Sequence, residues 1–108
     1  MSIGLLISSA ENDEVLDFAP VATQDTFGRV WLPICLEVGL EFIPVFESGM
    51  LITEEVYDDV LQELNRLEET VRHKAGSPVY DNLLERLHVM TEKLQNYKGK
   101  ENVKIWIG

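Results

Sequence analysis

The sequence predicts an α+β fold in one small domain, in which strands near both termini form a small sheet that helices cover. Apolar residues alternate with other residues at both ends of the chain, in SIGLLIS and in NVKIWIG, as is typical of strands. Two long segments between these ends repeat apolar residues at helical spacing. With 108 residues, of which 45% are hydrophobic, the chain suits one core rather than two. We therefore expect residues 1–108 to be a single domain, with two long antiparallel helices and a shorter helix.

The first strand is expected at about residues 2–8, where Ile3, Leu5 and Ile7 lie on one face. The polar SSAENDEV that follows it is typical of a loop. From Val15 to Asp25 the apolar residues show no clear period. The segment DFAPVATQD is therefore compatible with a short edge strand or with no strand.

A shorter helix is expected over about residues 26–39. Six apolar residues form one helical stripe, namely Phe27, Val30, Trp31, Ile34, Cys35 and Val38. Gly39 follows in the position that favours a left-handed residue after a helix. An interior proline costs about 3 kcal/mol in a helix, so Pro33 implies either a kink or a helix that begins at Pro33. The next segment, EFIPVFESG, contains Pro44 and favours an extended connection or an edge strand.

The first long helix is expected to begin after Thr53, a good N-cap residue, and to end by Gly76. Its apolar stripe consists of Val56, Tyr57, Val60, Leu61, Leu64, Leu67 and Val71. Ser77 and Pro78 are suited to the N-cap and first position of a second helix. The apolar stripe of that helix consists of Val79, Leu83, Leu87, Met90, Leu94 and Tyr97. Because the turn between the two helices is short, they should pack antiparallel.

The final segment, NVKIWIG, predicts a strand with Val103, Ile105 and Ile107 on one face. Lys104 and Trp106 lie on the other face of this strand. Trp106 is therefore as compatible with partial exposure as with burial. Since aromatic residues are enriched at interface hot spots, Trp106 is also a candidate contact residue.

Charge excludes some classes of partner. Nineteen acidic and nine basic residues give a net charge of −10, which repels nucleic acids and anionic membrane surfaces and attracts basic proteins. Residues 1–71 contain 15 acidic and two basic residues, whereas residues 72–108 contain four acidic and seven basic residues. Folding could still bring these two regions together. We expect a basic protein partner, no direct nucleic-acid binding and no membrane binding.

The sequence favours a cytoplasmic location. The single cysteine, Cys35, cannot form an internal disulfide, and no Asn-x-Ser/Thr sequon is present. The opening segment lacks the basic region of a signal peptide. No apolar run approaches the roughly 20 residues that a transmembrane helix needs.

No catalytic residue, cofactor or metal is predicted. His73 and His88 lack partners at the spacing of zinc ligands. Cys35 and Trp31 lie on an apolar stripe, so we expect both to be buried in the core. The sequence contains none of the nucleotide-binding or hydrolase motifs that identify an enzyme class. Carboxylate pairs are too abundant for any one pair to indicate an acid/base couple.

The strongest functional signal is the segment from Thr53 to Thr70, which carries seven carboxylates and one basic residue, Arg66. On a helical wheel, the side opposite the apolar stripe is mostly acidic. It comprises Glu55, Asp58, Asp59, Gln62, Asn65, Arg66 and Glu69. Such a side is either an ordinary solvated face or a surface that meets a basic protein. The predicted partner-binding residues, assigned mainly on charge, are Glu55, Asp58, Asp59, Gln62, Glu69, Glu41, Glu47 and Trp106.

The stretch FGRVWLPICLEVGLEFIPVFESGMLITEEVYDDVLQELNRL, with the closing KIWIG, resembles the small immunity proteins of bacterial polymorphic toxin systems, including contact-dependent growth inhibition. This resemblance implies a cytoplasmic, non-catalytic protein that binds and neutralises a cognate toxin domain, for which a basic nuclease is one candidate. No binding residue of those proteins can be assigned to a position in this sequence from the resemblance. Two other functions stay open, namely a non-catalytic subunit of a larger assembly, such as a homodimer joined through edge strands, and a small enzyme that uses carboxylates.

Overall fold

The computed structural model describes residues 2–74 and 76–108 and confirms the α+β prediction, with 55% helix and 23% strand. Its strands are β1 (Ser2–Ser9), β2 (Val15–Thr23), β3 (Met50–Leu51) and β4 (Val103–Ile107). The shorter helix is α1 (24–38), and the two long helices are α2 (Glu54–Arg72) and α3 (Pro78–Asn96). A 3-10 helix, Ile43–Glu47, connects α1 to β3.

The four strands form one antiparallel sheet in the order β2-β1-β4-β3. The segment after the first loop, for which the sequence allowed a short edge strand or no strand, is a nine-residue edge strand, β2, which pairs with β1 along its length. Its register shifts between Ile3 and Gly4 and again between Ile7 and Ser8 of β1. Since each bulge shifts the alternation of side chains between the two faces, β2 shows no continuous period in the sequence.

Helix α1 continues on both sides of Pro33 and therefore does not begin at this proline. It begins at Gln24, where the Thr23 side chain caps it, and passes through a π-helical turn, Phe27–Trp31, which ends two residues before Pro33. The added residue in this turn lets the helix continue as Leu32–Val38 without a break. Gly39 ends the helix in the left-handed conformation, with φ of 78°, as predicted.

The prediction of an extended connection or edge strand over EFIPVFESG was wrong for most of its length. Ile43–Glu47 is a 3-10 helix with Pro44 in its first turn, a position where the absent N–H costs nothing. Ile43 and Phe46, three residues apart, both point into the core. A proline and loose alternation fit this turn as well as a strand, and the burial of both side chains favours the turn.

The two long helices pack antiparallel, as predicted. Tyr57, near the start of α2, donates its hydroxyl proton to the carbonyl of Leu94, near the end of α3. The α2 stripe is buried at five positions, whereas the α3 stripe begins only at Leu83 because Val79 lies half exposed in the first turn. Helix α2 ends at Arg72, before the predicted Gly76. Among the described helices, none is both long and apolar enough to cross a membrane.

The helices cover one face of the sheet. Alternate strand residues on that face, including Leu5, Ala19, Ile105 and Ile107, are buried in a core shared with Trp31. The intervening strand residues point to the opposite side, which no described helix covers. We call this side the open face of the sheet.

Candidate functional site

Two of the seven carboxylates between Thr53 and Thr70 hold the fold together. Glu68 contacts His88 of α3 at 2.8 Å and Arg72 at 3.0 Å. Glu63 accepts hydrogen bonds at 3.0–3.1 Å from the backbone N–H groups of Glu41, Phe42 and Ile43. The second arrangement caps the 3-10 helix with a carboxylate from a distant helix. These two residues are therefore not available as a free acidic surface.

Four other carboxylates of this segment form the outer side of α2. We call Glu55, Asp58, Asp59, Gln62 and Glu69 the acidic face, since all five are exposed and share one side of the helix. Within this set, only Asp58 has a basic side chain within 4 Å among the described residues, Lys98 at 3.7 Å.

The two arginines of α2, of which Arg66 shares the solvent side of the helix with the acidic face, form their hydrogen bonds with groups outside that face. The Arg66 guanidinium donates to the carbonyl of Val38 at the end of α1, and the Arg72 guanidinium donates to Glu68. Neither arginine forms an ion pair with a carboxylate of the acidic face, which therefore keeps a net negative charge toward solvent.

The remaining predicted contact residues lie in two different places. Glu41 is exposed beside α2, because its backbone N–H binds Glu63. Trp106 is 41% exposed on the open face of the sheet, and Glu47 is exposed two residues before Gly49, over which the Trp106 ring lies. The structure thus places the acidic face and Trp106 on opposite sides of the molecule rather than in one site.

Trp106 belongs to a row of apolar side chains that crosses all four strands. Phe18 of β2 pairs with Leu6 of β1, Leu6 pairs with Trp106 of β4, and Trp106 pairs with Leu51 of β3. Register partners point to the same side of a sheet, so these four residues form one line on the open face. We call them the apolar row. Phe18 is 55% exposed and Leu51 is 47% exposed.

Glycines hold both rings of the apolar row in place. A Cβ atom at Gly4 would lie 2.6 Å from the Phe18 ring, and one at Gly49 would lie 2.4 Å from the Trp106 ring. A Cβ at Gly108 would also lie 2.8 Å from the Trp106 indole nitrogen. Each ring therefore packs against the backbone on one side and faces solvent on the other. Because the two rings are already held in place, binding of a partner to them costs little side-chain entropy.

Among the described strand residues, Lys104 is the one charged side chain on the open face. The strand residues in register with Ser8, in the row next to the apolar row, are Val15 and Lys104. Lys104 forms an ion pair with Asp13 in the loop between β1 and β2. In a chain with net charge −10, this face is thus a nearly neutral apolar surface.

A cleft of about 560 Å³ lies between the start of α2, the loop before β4 and the edge of β4. Its charged lining residues are Glu54, Asp58, Glu101, Lys98, Lys100 and Lys104. Because acidic and basic residues are present in equal number, charge does not select a ligand for this cleft.

The residues weighed for chemistry have structural surroundings. Cys35 is fully buried, as predicted, and burial together with the nearby charge of Glu63 raises its pKa to about 12. The exposed His88 contacts Glu68, and His73 caps the end of α2. Within residues 2–74 and 76–108, no group of three or more His, Cys, Asp or Glu side chains is placed to hold a metal ion.

Sequence reasoning found Trp106 but missed the other three members of the apolar row. Phe18 lies in a segment whose sequence is compatible with a strand or with no strand, and Leu51 lies in a strand of only two residues. The available signal was the pair Leu5 and Leu6 in β1, because adjacent apolar residues in a strand point to both faces.

Comparison of the chain with protein-family models, with curated proteins and with solved structures finds no match in any of the three.

Proposed function

We propose that this chain is a cytoplasmic immunity protein, which binds a cognate basic toxin domain through the acidic face of α2 and neutralises it by occlusion. The observation that carries this proposal is that the acidic face keeps four carboxylates toward solvent, of which only Asp58 has a basic side chain within 4 Å among the described residues. The resemblance of residues 27–67 and of KIWIG to small immunity proteins supports the toxin as the partner.

The arrangement of charge costs the isolated protein some stability. Glu55 and Asp59 are one helical turn apart and of like sign, a pairing that destabilises a helix by about 0.2–0.5 kcal/mol. If the helix were selected for solubility alone, lysines would be expected between these carboxylates. Retained repulsion of this kind is expected where the charges meet a basic partner, because they steer association and take the place of substrate phosphates.

A nuclease domain is the type of toxin that fits this mechanism best. Its substrate groove must be basic to hold a phosphate backbone. Carboxylates of the acidic face would bind the same lysines and arginines and so exclude nucleic acid. The chain itself needs no catalytic group for this role.

The test is co-expression with the product of the gene directly upstream, followed by purification and kinetic measurement of the complex. A one-to-one complex is expected, with an association rate constant that falls at least about tenfold between low and physiological salt. An association rate that does not depend on salt would refute the electrostatic mechanism, and the absence of a complex would refute the pairing.

A charge-matched pair of variants separates the acidic face from the net charge. The first variant combines Glu55→Gln, Asp58→Asn and Asp59→Asn, and it should slow association while leaving the fold intact. The control, on α3, combines Asp81→Asn, Glu85→Gln and Glu92→Gln, three exposed residues with the same total charge. Equal losses in both variants would indicate a general effect of net charge, and no loss in the first would make the acidic face an ordinary solvated surface.

A further inference from the structure

The apolar row leaves a half-exposed hydrophobic surface on the open face of the sheet, separate from the acidic face. We propose that this surface is the interface of a symmetric dimer, in which the sheets of two copies of the chain stack face to face. The proposal is independent of the proposed function, because it uses the opposite side of the molecule.

The order of residues in the apolar row makes the surface complementary to itself. Across the sheet, the order is Phe18, Leu6, Trp106 and Leu51. A twofold axis parallel to the strands, between β1 and β4, places Phe18 of one copy opposite the partner's Leu51. The same axis places Leu6 opposite the partner's Trp106. Each aromatic ring then meets a leucine, and the strands of the two sheets run nearly aligned, as in β-sandwiches.

Charge favours a second copy over a charged partner at this surface. The lysine on the open face, Lys104, is already paired with Asp13. A neutral apolar surface matches another copy of itself without burying an unpaired charge. In the stacked dimer, the acidic faces of both copies point outward from the two helix layers. The large net charge of each chain therefore lies away from the contact.

The exposed area fits a weak dimer. Fully covered Phe and Trp side chains bury about 150–250 Å² each, and Phe18 and Trp106 have 55% and 41% of their surface uncovered. With Leu51, Val15 and Pro20 added, the apolar patch is roughly 400 Å². Standard interfaces bury about 800 Å² on each partner, so the patch covers about half of that area and fits a weak dimer rather than a tight one.

Sedimentation velocity over about 1–300 μM chain tests the proposal, since that range brackets micromolar dissociation constants. The wild-type protein should pass from monomer to dimer. The variant Phe18→Ser with Leu51→Ser should raise the dissociation constant at least about tenfold. The control variant, Leu36→Ser with Val79→Ser, alters two exposed apolar residues outside the sheet and should change it less than about twofold. A wild-type chain that stays monomeric, or equal effects of the two variants, would overturn the proposal.

Fluorescence of the unaltered chain gives a readout that needs no variant. The two tryptophans differ, because Trp31 is buried in the core and Trp106 is on the open face. Acrylamide quenching should therefore decrease as the chain concentration rises through the dissociation constant. Dimer formation with unchanged quenching would place the interface elsewhere and overturn the proposal.

Salt distinguishes this dimer from the toxin complex. Screening reduces repulsion between two acidic chains, so added salt should leave the dimer unchanged or strengthen it. The toxin complex should weaken under the same conditions. A dimer that dissociates on addition of salt would contradict an apolar interface, whatever the outcome for the toxin.

Discussion

Replacing Glu63 by alanine should destabilise the fold much more than replacing any residue of the acidic face. The Glu63 carboxylate accepts the N–H groups of Glu41, Phe42 and Ile43, at distances of 3.0–3.1 Å. In the variant, the N–H of the exposed Glu41 can bind water. The N–H groups of Phe42 and Ile43 lie in a partly buried position and lose their acceptor.

The size of the loss follows from the two orphaned donors. Removing a capping side chain costs about 0.5–2 kcal/mol, and each buried donor left without a partner costs about 1–3 kcal/mol. We expect Glu63→Ala to lower the free energy of unfolding by about 2–3 kcal/mol. For a domain of this length, the corresponding fall in Tm is about 10 °C. Glu63→Gln keeps one oxygen acceptor and should lose about half as much.

Urea unfolding followed by circular dichroism measures the loss, and amide hydrogen exchange locates it. Protection should fall first at Phe42 and Ile43. Glu69→Ala is the control, because Glu69 is an exposed glutamate of the same helix and its loss should change stability by less than about 0.5 kcal/mol. Equal stability of Glu63→Ala and Glu69→Ala would show that the carboxylate does not cap the 3-10 helix.

Two further predictions concern the backbone and pH. Gly49→Ala should destabilise the fold by about 1–3 kcal/mol in thermal unfolding, because φ is +97° there and a Cβ atom would meet the Trp106 ring. The control is Gly28→Ala, at a helical site where nothing lies within 4 Å of the added Cβ. In the same assay, this control should be neutral or stabilising. The Lys93 ammonium donates to Asp17 at 2.8 Å and lowers the pKa of that carboxyl. Asp17→Asn should therefore be less stable than wild type at neutral pH; the difference should begin to shrink below about pH 4 and be lost as the pH falls through the lowered pKa of Asp17. A difference that does not shrink in acid, measured by urea titration, would argue against the ion pair.

Elements with a continuous local period could be predicted from the sequence. Helices α2 and α3 show a helical period of apolar residues over about five turns. Strands β1 and β4 show an alternating period, and their residues on one face, such as Leu5 and Ile107, are buried. The bulges of β2 and the π-turn of α1 each insert a residue into a period, so these elements were only partly predictable. The pairing of Leu5 with Ile107 joins opposite ends of the chain, and no local pattern indicates such a pairing.

Of the candidate site, the acidic face could be predicted from the sequence, whereas the role of Glu63 and the apolar row could not. Helical spacing alone placed Glu55, Asp58 and Asp59 on the solvent side of α2. The structural role of Glu63 was not predictable, because its carboxylate is one of seven in the segment and differs from the others only in its tertiary contacts. The apolar row likewise depends on the register of four strands, which the sequence does not state.

The two outer strands affect how this chain behaves when it is crowded. An exposed strand edge is a template on which further chains can add, and such growth leads to fibres. Here one outer strand, β2, carries two bulges and Pro20, which lacks an N–H, and the other, β3, is only two residues long. Neither edge offers a regular ladder of donors and acceptors. The sheet is therefore protected against aggregation through edge-to-edge growth, and a homodimer joined through its edge strands is disfavoured for the same reason.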